Sequence, residues 1–314
     1  MLRYIVMRIL ATIPVMVVVA VFVFLMLRLA PGDPAAVIAG DYATAEDVAR
    51  IREKLGLNES IPVQFMTWIG TLVRGDLGTS IFSGLPVTTL IGQRIEPTVM
   101  LGLTTIVFAV LVAVPMGTLA AWKSGSLIDR FVMLFSVGGF SVPVFVLGYM
   151  LIYVLAMELK WLPVQGYRSM FEFGVLAFLR HITLPVLTLS VIFIALIARM
   201  TRATVMEVLE EDYIRTARAK GQSEFKILMR HALRNAAVPI VTVIGIGIAL
   251  LIGGVVVTES VFNIPGLGRL VLDAVLARDY PIIQGLILFF SFVYILINLL
   301  IDLSYVLLDP RIRY

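Results

Sequence analysis

The sequence predicts an all-α, polytopic membrane protein with six transmembrane helices and both termini in the cytoplasm. Three observations carry this. Of 314 residues 60% are hydrophobic and the mean hydropathy is +1.00, too apolar for a soluble globular chain. Apolar runs close to the ~20 residues that cross a bilayer recur along the chain. One long polar segment rich in basic residues, Glu207 to Pro239, lies between two such runs, so it sits in water while membrane holds both its ends.

The first apolar run, about 9–29, follows Arg3 and Arg8. It is too long for the core of a signal peptide and leads directly into Pro31-Gly-Asp-Pro34, which predicts an uncleaved span with its N-terminus inside. Residues 30–97 are the largest extramembrane segment, and two helices are expected there. Thr44 and Asp47 match a capping box for a helix that runs to about Leu55 and stops at Gly56. Pro62 starts the second, whose Phe65, Trp68, Ile69 and Leu72 share a face before Gly75 ends it. That face suits either the membrane interface or a small packed cap.

Further spans are predicted at about 98–121, 131–156, 181–198, 236–258 and 282–301. Gly138, Gly139, Pro143 and Gly148 in the third allow close helix approach or a kink, and the fifth is rich in Gly245, Gly247, Gly253 and Gly254. The chain thus divides into 1–97, the first span with its large loop, and 98–314, a five-span core that carries the basic loop at 199–235. Charge fits this topology. Arg3 and Arg8, Lys123 and Arg130, eight basic residues of the 199–235 loop, and Arg311 and Arg313 fall inside, whereas the rest of the 25 spread over nearly twice the length outside.

The eight are Arg199, Arg202, Arg215, Arg218, Lys220, Lys226, Arg230 and Arg234. Within the loop, Leu209, Tyr213, Thr216 or Ala217, and Lys220 recur at helical spacing, and Gly221 stands where a left-handed residue would end that helix. Ser223 can cap a second helix with an apolar stripe of Phe225, Met229 and Ala232 beside a basic one of Lys226, Arg230 and Arg234. By composition the loop is either a connector that sets topology or a docking surface.

The residues themselves narrow the choice. Asp212-Tyr-Ile-Arg-Thr-Ala-Arg-Ala-Lys-Gly221, with His231-Ala-Leu-Arg-Asn235 and Pro239, closely resembles the cytoplasmic "EAA" loop of ABC-importer permeases in the dipeptide/oligopeptide branch. The general pattern's glutamate falls on Arg215 and its first alanine on Thr216, a departure that this branch shares. Arg74-Gly-Asp-Leu-Gly-Thr-Ser80, Pro86-Val-Thr-Thr-Leu90, Glu259-Ser-Val-Phe-Asn-Ile-Pro-Gly-Leu-Gly-Arg269 and Arg278-Asp-Tyr-Pro281 resemble the branch's external loops, so the likeness covers essentially the whole chain.

The resemblance implies a type I importer permease of a bacterial inner membrane. It implies a pathway shared with a second, usually paralogous permease, two separate ATPase subunits that bind ATP and Mg, and a periplasmic binding protein. The loop would be a coupling helix in a groove of the ATPase, and its residues are Glu211, Asp212, Tyr213, Arg215, Thr216, Ala217, Arg218, Lys220 and Gly221. In that reading Tyr213, Thr216 and Ala217 supply the packed face, Arg215, Arg218 and Lys220 pair with the ATPase, and Gly221 makes the turn. Short peptides are the implied cargo, with glutathione, nickel chelates, opines and small oligosaccharides as alternatives in the same family. No substrate-binding residue is assigned, because the spans are apolar nearly all round.

Other classes fit less well. Without cysteine there is no disulfide, thiolate nucleophile or cysteine-ligated metal, and no His or carboxylate cluster has metal-ligand spacing. No glycine precedes Lys-Ser or Lys-Thr, so no Walker A loop can form and the energy comes from another chain. For an intramembrane serine protease the candidates are Ser141 and His181, which read better as packing and interfacial residues; His231 is an ordinary polar position among cations. No base-reading motif speaks for nucleic acid, and the modest net charge of +4 suits a membrane surface. An ion-coupled carrier is the more serious alternative, but Arg28, Glu259 and Asp302 sit near span ends and no inverted repeat is obvious.

Overall fold

A computed structural model describes residues 2–29, 34–39, 44–54 and 56–308. Pro31, Gly32 and Asp33 of the Pro-Gly-Asp-Pro string, Leu55, and the C-terminal Arg311 and Arg313 lie outside them. The helices are α1 (Leu2–Leu29), α2 (Pro34–Ala39), α3 (Ala45–Lys54), α4 (Ile61–Val73), α5 (Val87–Trp122), α6 (Leu127–Ser141), α7 (Val144–Leu151), α8 (Met170–Phe173), α9 (Val175–Leu209) and α10 (Asp212–Ala219). They continue with α11 (Glu224–Lys226), α12 (Leu233–Asn235), α13 (Ala237–Val261), α14 (Leu267–Ala277) and α15 (Tyr280–Leu308). π-helical turns extend α7 (Ile152–Glu158) and join α11 to α12 (Ile227–Ala232). Among the described residues the one β feature is an isolated bridge between Thr79 and Pro86.

Residues 1–95 and 270–295 form one compact unit. The capping box is present: Thr44 Oγ1 donates to Asp47 Oδ2 at 2.7 Å, and the Asp47 amide donates back to Thr44 Oγ1 at 3.3 Å. Gly56 follows at φ 65°, the left-handed value that the stop signal needs. The apolar face of α4 packs inward: Trp68, Ile69 and Leu72 meet Ala20 and Val23 of α1 and Leu288 of α15, and Phe24 lies 5.1 Å from Phe65 and 5.7 Å from Trp68. Gln284 Nε2 donates to the Val23 carbonyl at 2.9 Å and fixes the same contact. In the 74–86 turn, Ser80 Oγ donates at 2.6 Å to the buried carboxyl of Asp279, which also accepts from the Ile81 amide at 3.3 Å. Two of the sequence strings, 74–80 and 278–281, are therefore the two halves of one hydrogen-bonded contact.

Residues 96–269 and 296–314 form the second unit, built around α9. Helices α6, α7 and α13 pack on it, and its inner residues, among them Leu184, Leu189, Phe193, Ile197 and Ala198, are buried. Small residues set these approaches. A Cβ on Gly117 would lie 2.4 Å from the Ala198 carbonyl oxygen and 2.7 Å from Thr201 Cβ; one on Gly254 would lie 2.8 Å from Leu189 Cδ1. Gly139 meets Ala195 and Val191, and Gly148 meets Val261 and Thr188, so both are packing contacts. The third predicted span also bends, by 103° between α6 and the α7 helix with its π turn, at Val142 and Pro143.

Several boundaries differ from expectation. Helix α5 begins at Val87, not 98, because Pro97 and the charged Arg94 and Glu96 are accommodated inside it. Helix α9 begins at Val175, before His181, and runs to Leu209, so Arg199 and Arg202 belong to a membrane helix rather than to a loop. Among the described residues four helices are long and apolar enough to cross a membrane, or five with the bent pair as one span; α1 contributes the shorter apolar stretch Leu10–Met26.

Ala ordinarily improves a helix over Gly by about 0.5–1 kcal/mol. At Gly253, where a Cβ meets nothing within 4 Å, Gly253→Ala should leave thermal stability unchanged or raise it slightly. Gly117→Ala, facing backbone that cannot yield, should cost ~1–3 kcal/mol. Paired melting curves of the detergent-solubilised variants measure the difference.

Candidate functional site

The 199–235 region begins as the end of α9 and then folds into a helical hairpin. Glu211 takes the extended N-cap conformation before α10, and Gly221 ends that helix at φ 76°. The Gly221 amide donates to Arg218 O at 2.9 Å and the Gln222 amide to Ala217 O at 3.2 Å, the paired bonds of a Schellman turn. Ser223 occupies the next N-cap position, without a side-chain cap bond. Ile214 and Ala217 of α10 pack on Ile227 and Leu209 to make the hairpin's own core.

The second helix keeps only Ala232 of the predicted apolar stripe on its inward face. Its π turn shifts the inward face to Ile227, Leu228 and Ala232, all buried, and leaves Phe225 and Met229 66% and 46% exposed. Of the three residues assigned to a packed face, Ala217 is buried against this chain, while Tyr213 and Thr216 are exposed. The cations divide as well. Arg218 pairs with Glu224 (Nε to Oε1, 2.8 Å), and this hydrogen bond raises the guanidinium above its usual range. Arg215 lies 3.3 Å from Asp212. Lys220, Lys226, Arg230 and Arg234 are exposed and make no ion pair among the described residues, and Glu211 and Gly221 are exposed beside them. Two polar bonds close the hairpin: Asn235 Nδ2 donates to the Tyr213 hydroxyl at 2.7 Å, and His231 Nε2 lies 2.8 Å from Gln222 Oε1.

The hairpin is fastened to the spans. Leu228, Ala232 and Ala236 pack with Val205 of α9, Ala121 of α5 and Ile240 of α13. Nearby, the α9 residue Arg202 makes a two-pronged pair with the buried Asp129 of α6, whose Oδ2 also accepts from the Gly125 amide at 2.9 Å. Sequence reasoning missed Ile214 in the hairpin's core, and missed Ile227 and Leu228 because a π turn breaks the 3.6-residue period. It also missed the Asp129–Arg202 pair, which local spacing does not reveal.

A second organised region is the loop after α13. Glu259 is fully buried. Its Oε1 accepts from Thr98 Oγ1 at 2.6 Å and its Oε2 from the Arg269 amide at 2.9 Å, while Thr98 Oγ1 accepts from the Leu267 amide at 2.7 Å. A Cβ on Gly266 would stand 2.1 Å from Glu259 Oε1, and one on Gly268 2.7 Å from Val256 Cα, so the loop closes over the carboxyl group only with glycine at both places. Close by, Tyr167 donates to Glu96 at 3.0 Å, and burial together with that bond lifts its phenol well above the ordinary range.

Comparison with known proteins agrees with this architecture. A family model described as "Binding-protein-dependent transport system inner membrane component" matches residues 113–314, and one for the N-terminal part of such components matches residues 1–99. The chain is 58% identical over 311 residues, 99% of each chain, to the "Probable peptide ABC transporter permease protein y4tP" of Sinorhizobium fredii. It is 45% identical over 314 residues, all of each chain, to the "Glutathione transport system permease protein GsiC" of Escherichia coli K12. A structure titled "Inward facing conformations of the MetNI methionine ABC transporter" superposes with a TM-score of 0.58 at 17% identity, over 71% of this chain and 97% of that one, a likeness of fold.

Glu259→Ala removes the acceptor on which Thr98 and the Arg269 amide converge, and Gly268→Ala pushes into the Val256 backbone. Each should cost roughly 2 kcal/mol. Limited proteolysis should then cut within 262–269 faster than in the unaltered protein.

Proposed function

The chain belongs to the family of binding-protein-dependent transport system inner membrane components and is a multi-pass ABC-importer permease, and we propose that it carries short peptides and is driven through the α10–α12 hairpin. The observation behind the drive is the hairpin's surface. Exposed Tyr213, Phe225 and Met229 share that surface with Arg230 and Arg234, aromatic, methionine and arginine side chains of the kind that protein partners cover. The hairpin's internal bonds are already made, so little ordering is needed on docking.

In this reading two ATPase subunits bind ATP and Mg, and this chain is non-catalytic. A second, paralogous permease completes the pathway and a periplasmic binding protein delivers the solute. Six spans with both ends in the cytoplasm put the hairpin on the ATPase side. Closure of the ATPases displaces the hairpin, and α9, α13 and α5 move with it because Leu228, Ala232 and Ala236 are packed between them. Short peptides are supported by the name of the 58% identical relative; glutathione, itself a tripeptide, is the second reading, supported by the 45% identical one.

Glu211, Asp212, Arg215, Thr216 and Lys220 form the exposed rim in this account. Ala217 and Gly221 shape the hairpin, and Arg218 is held by Glu224. An exposed ion pair contributes less than about 1 kcal/mol, so Arg218→Ala should weaken ATPase co-purification only slightly. Gly221→Trp should abolish it. A Cβ at Gly221 would meet nothing of this chain within 4 Å, so the bulk would point to the partner. Gly221→Asn, which tolerates positive φ, controls for backbone strain and should retain the ATPase. Mass spectrometry of a tagged pull-down measures all three, and equal losses for Arg218→Ala and Gly221→Trp would refute the ranking.

A further inference from the structure

At the end of α9 opposite the hairpin, a pocket of about 550 Å³ opens between the end of the α7 π turn and the first turns of α9. Two cations, Lys160 and Arg180, and the imidazole of His181 line it, and no acidic side chain does. Lys160 and Arg180 are exposed and have no ion pair among the described residues. His181 is oriented by its Nδ1, which donates at 2.8 Å to the Ala177 carbonyl, since a carbonyl oxygen only accepts.

The backbone is bent to build this place. The π turn ends with the Leu159 amide on Val154 O at 3.0 Å and the Trp161 amide on Leu155 O at 2.9 Å. That termination forces Lys160 to φ 55°, where glycine is the usual residue and a side chain costs ~1 kcal/mol. The segment is then pinned by the Tyr167–Glu96 bond and by the Gly166 amide on Phe262 O at 2.9 Å. The rest of the lining is apolar, with Trp161, Leu162 and Pro163 among it and Trp161 65% exposed. Tyr153 and Met157 of the π turn are also more than half exposed and extend the apolar surface along the span.

From this juxtaposition we propose that the pocket is a binding site for an anionic phospholipid, with its phosphate between Lys160, Arg180 and His181 and its acyl chain along Trp161 and the π turn. A soluble anion has no use for the apolar half, whereas a lipid needs both halves at the depth where tryptophan favours the membrane interface. The site fastens the bent third span to α9 through a lipid of the membrane itself. It does not depend on which solute is carried.

The test is tryptophan quenching in vesicles of phosphatidylcholine and phosphatidylglycerol in which only one lipid carries brominated chains. The difference between the unaltered protein and Trp161→Phe isolates Trp161. Brominated phosphatidylglycerol is expected to quench Trp161 more strongly than brominated phosphatidylcholine at equal mole fraction. That preference should fall roughly fivefold with either Lys160→Gln or Arg180→Gln, the effect of one cation near an anionic headgroup. Both side chains are exposed, so folding is not at stake. Equal quenching by the two lipids in the unaltered protein overturns the proposal, as does a preference that both variants keep. Loss of the preference when inorganic phosphate is added overturns the lipid as the source of the anion.

Discussion

The larger unit depends on how closely α5 lies against α9. At Gly117 the helices approach until there is no room for a Cβ, with the Ala198 carbonyl on one side and Thr201 on the other. Between helices in a bilayer the hydrophobic effect gives little attraction, so dispersion across a close backbone contact must supply it. The Asp129–Arg202 pair, one residue past Thr201 on α9, adds α6 to the same end of the helix. Removing one partner would strand the other charge where it is largely buried, so this end of the bundle moves as a piece.

That rigidity is what makes the hairpin useful. A flexible basic loop would absorb a push from a partner, but here Ile214, Ala217 and Ile227 pack within the hairpin and Leu228 and Ala232 pack on α5 and α9. In the proposed function, displacement at α10 is carried to α5, α9 and α13 without an intervening linker. The division of cations follows the same logic. Arg218 and Glu224 brace the hairpin internally, and Lys220, Lys226, Arg230 and Arg234 are the charges left for an external surface.

Hydropathy and turn chemistry made most of the fold legible. The capping box at Thr44, the left-handed stop at Gly221 and the apolar face of α4 all depend on neighbours within a few residues, and all are present. What failed depended on distant partners or on a changed period. The sequence puts the second span at about 98–121, yet α5 starts at Val87 and runs through Pro97. The π turn at Ile227–Ala232 rotated the buried face away from Phe225 and Met229. Resemblance identified the string from Glu259 to Arg269 without explaining it; the reason is steric, a carboxyl group occupying the space where Gly266 would otherwise carry a side chain.

The buried acids bear on what powers the protein. An ion-coupled carrier needs a carboxylate near mid-membrane that is free to take up and release a cation during each cycle. Asp129, Glu259 and Asp279 are the carboxylates buried among the described residues, and each stands within three residues of a helix end. Each is engaged in fixing a neighbouring segment: Asp129 holds Arg202 and the Gly125 amide, Glu259 holds Thr98 and Arg269, and Asp279 holds Ser80 and Ile81. Giving up these bonds to a travelling ion would loosen the loops at every turnover. The acids therefore serve as fasteners, which fits the proposed function, in which the work of transport enters where the chain offers an open surface joined to its spans, at the hairpin.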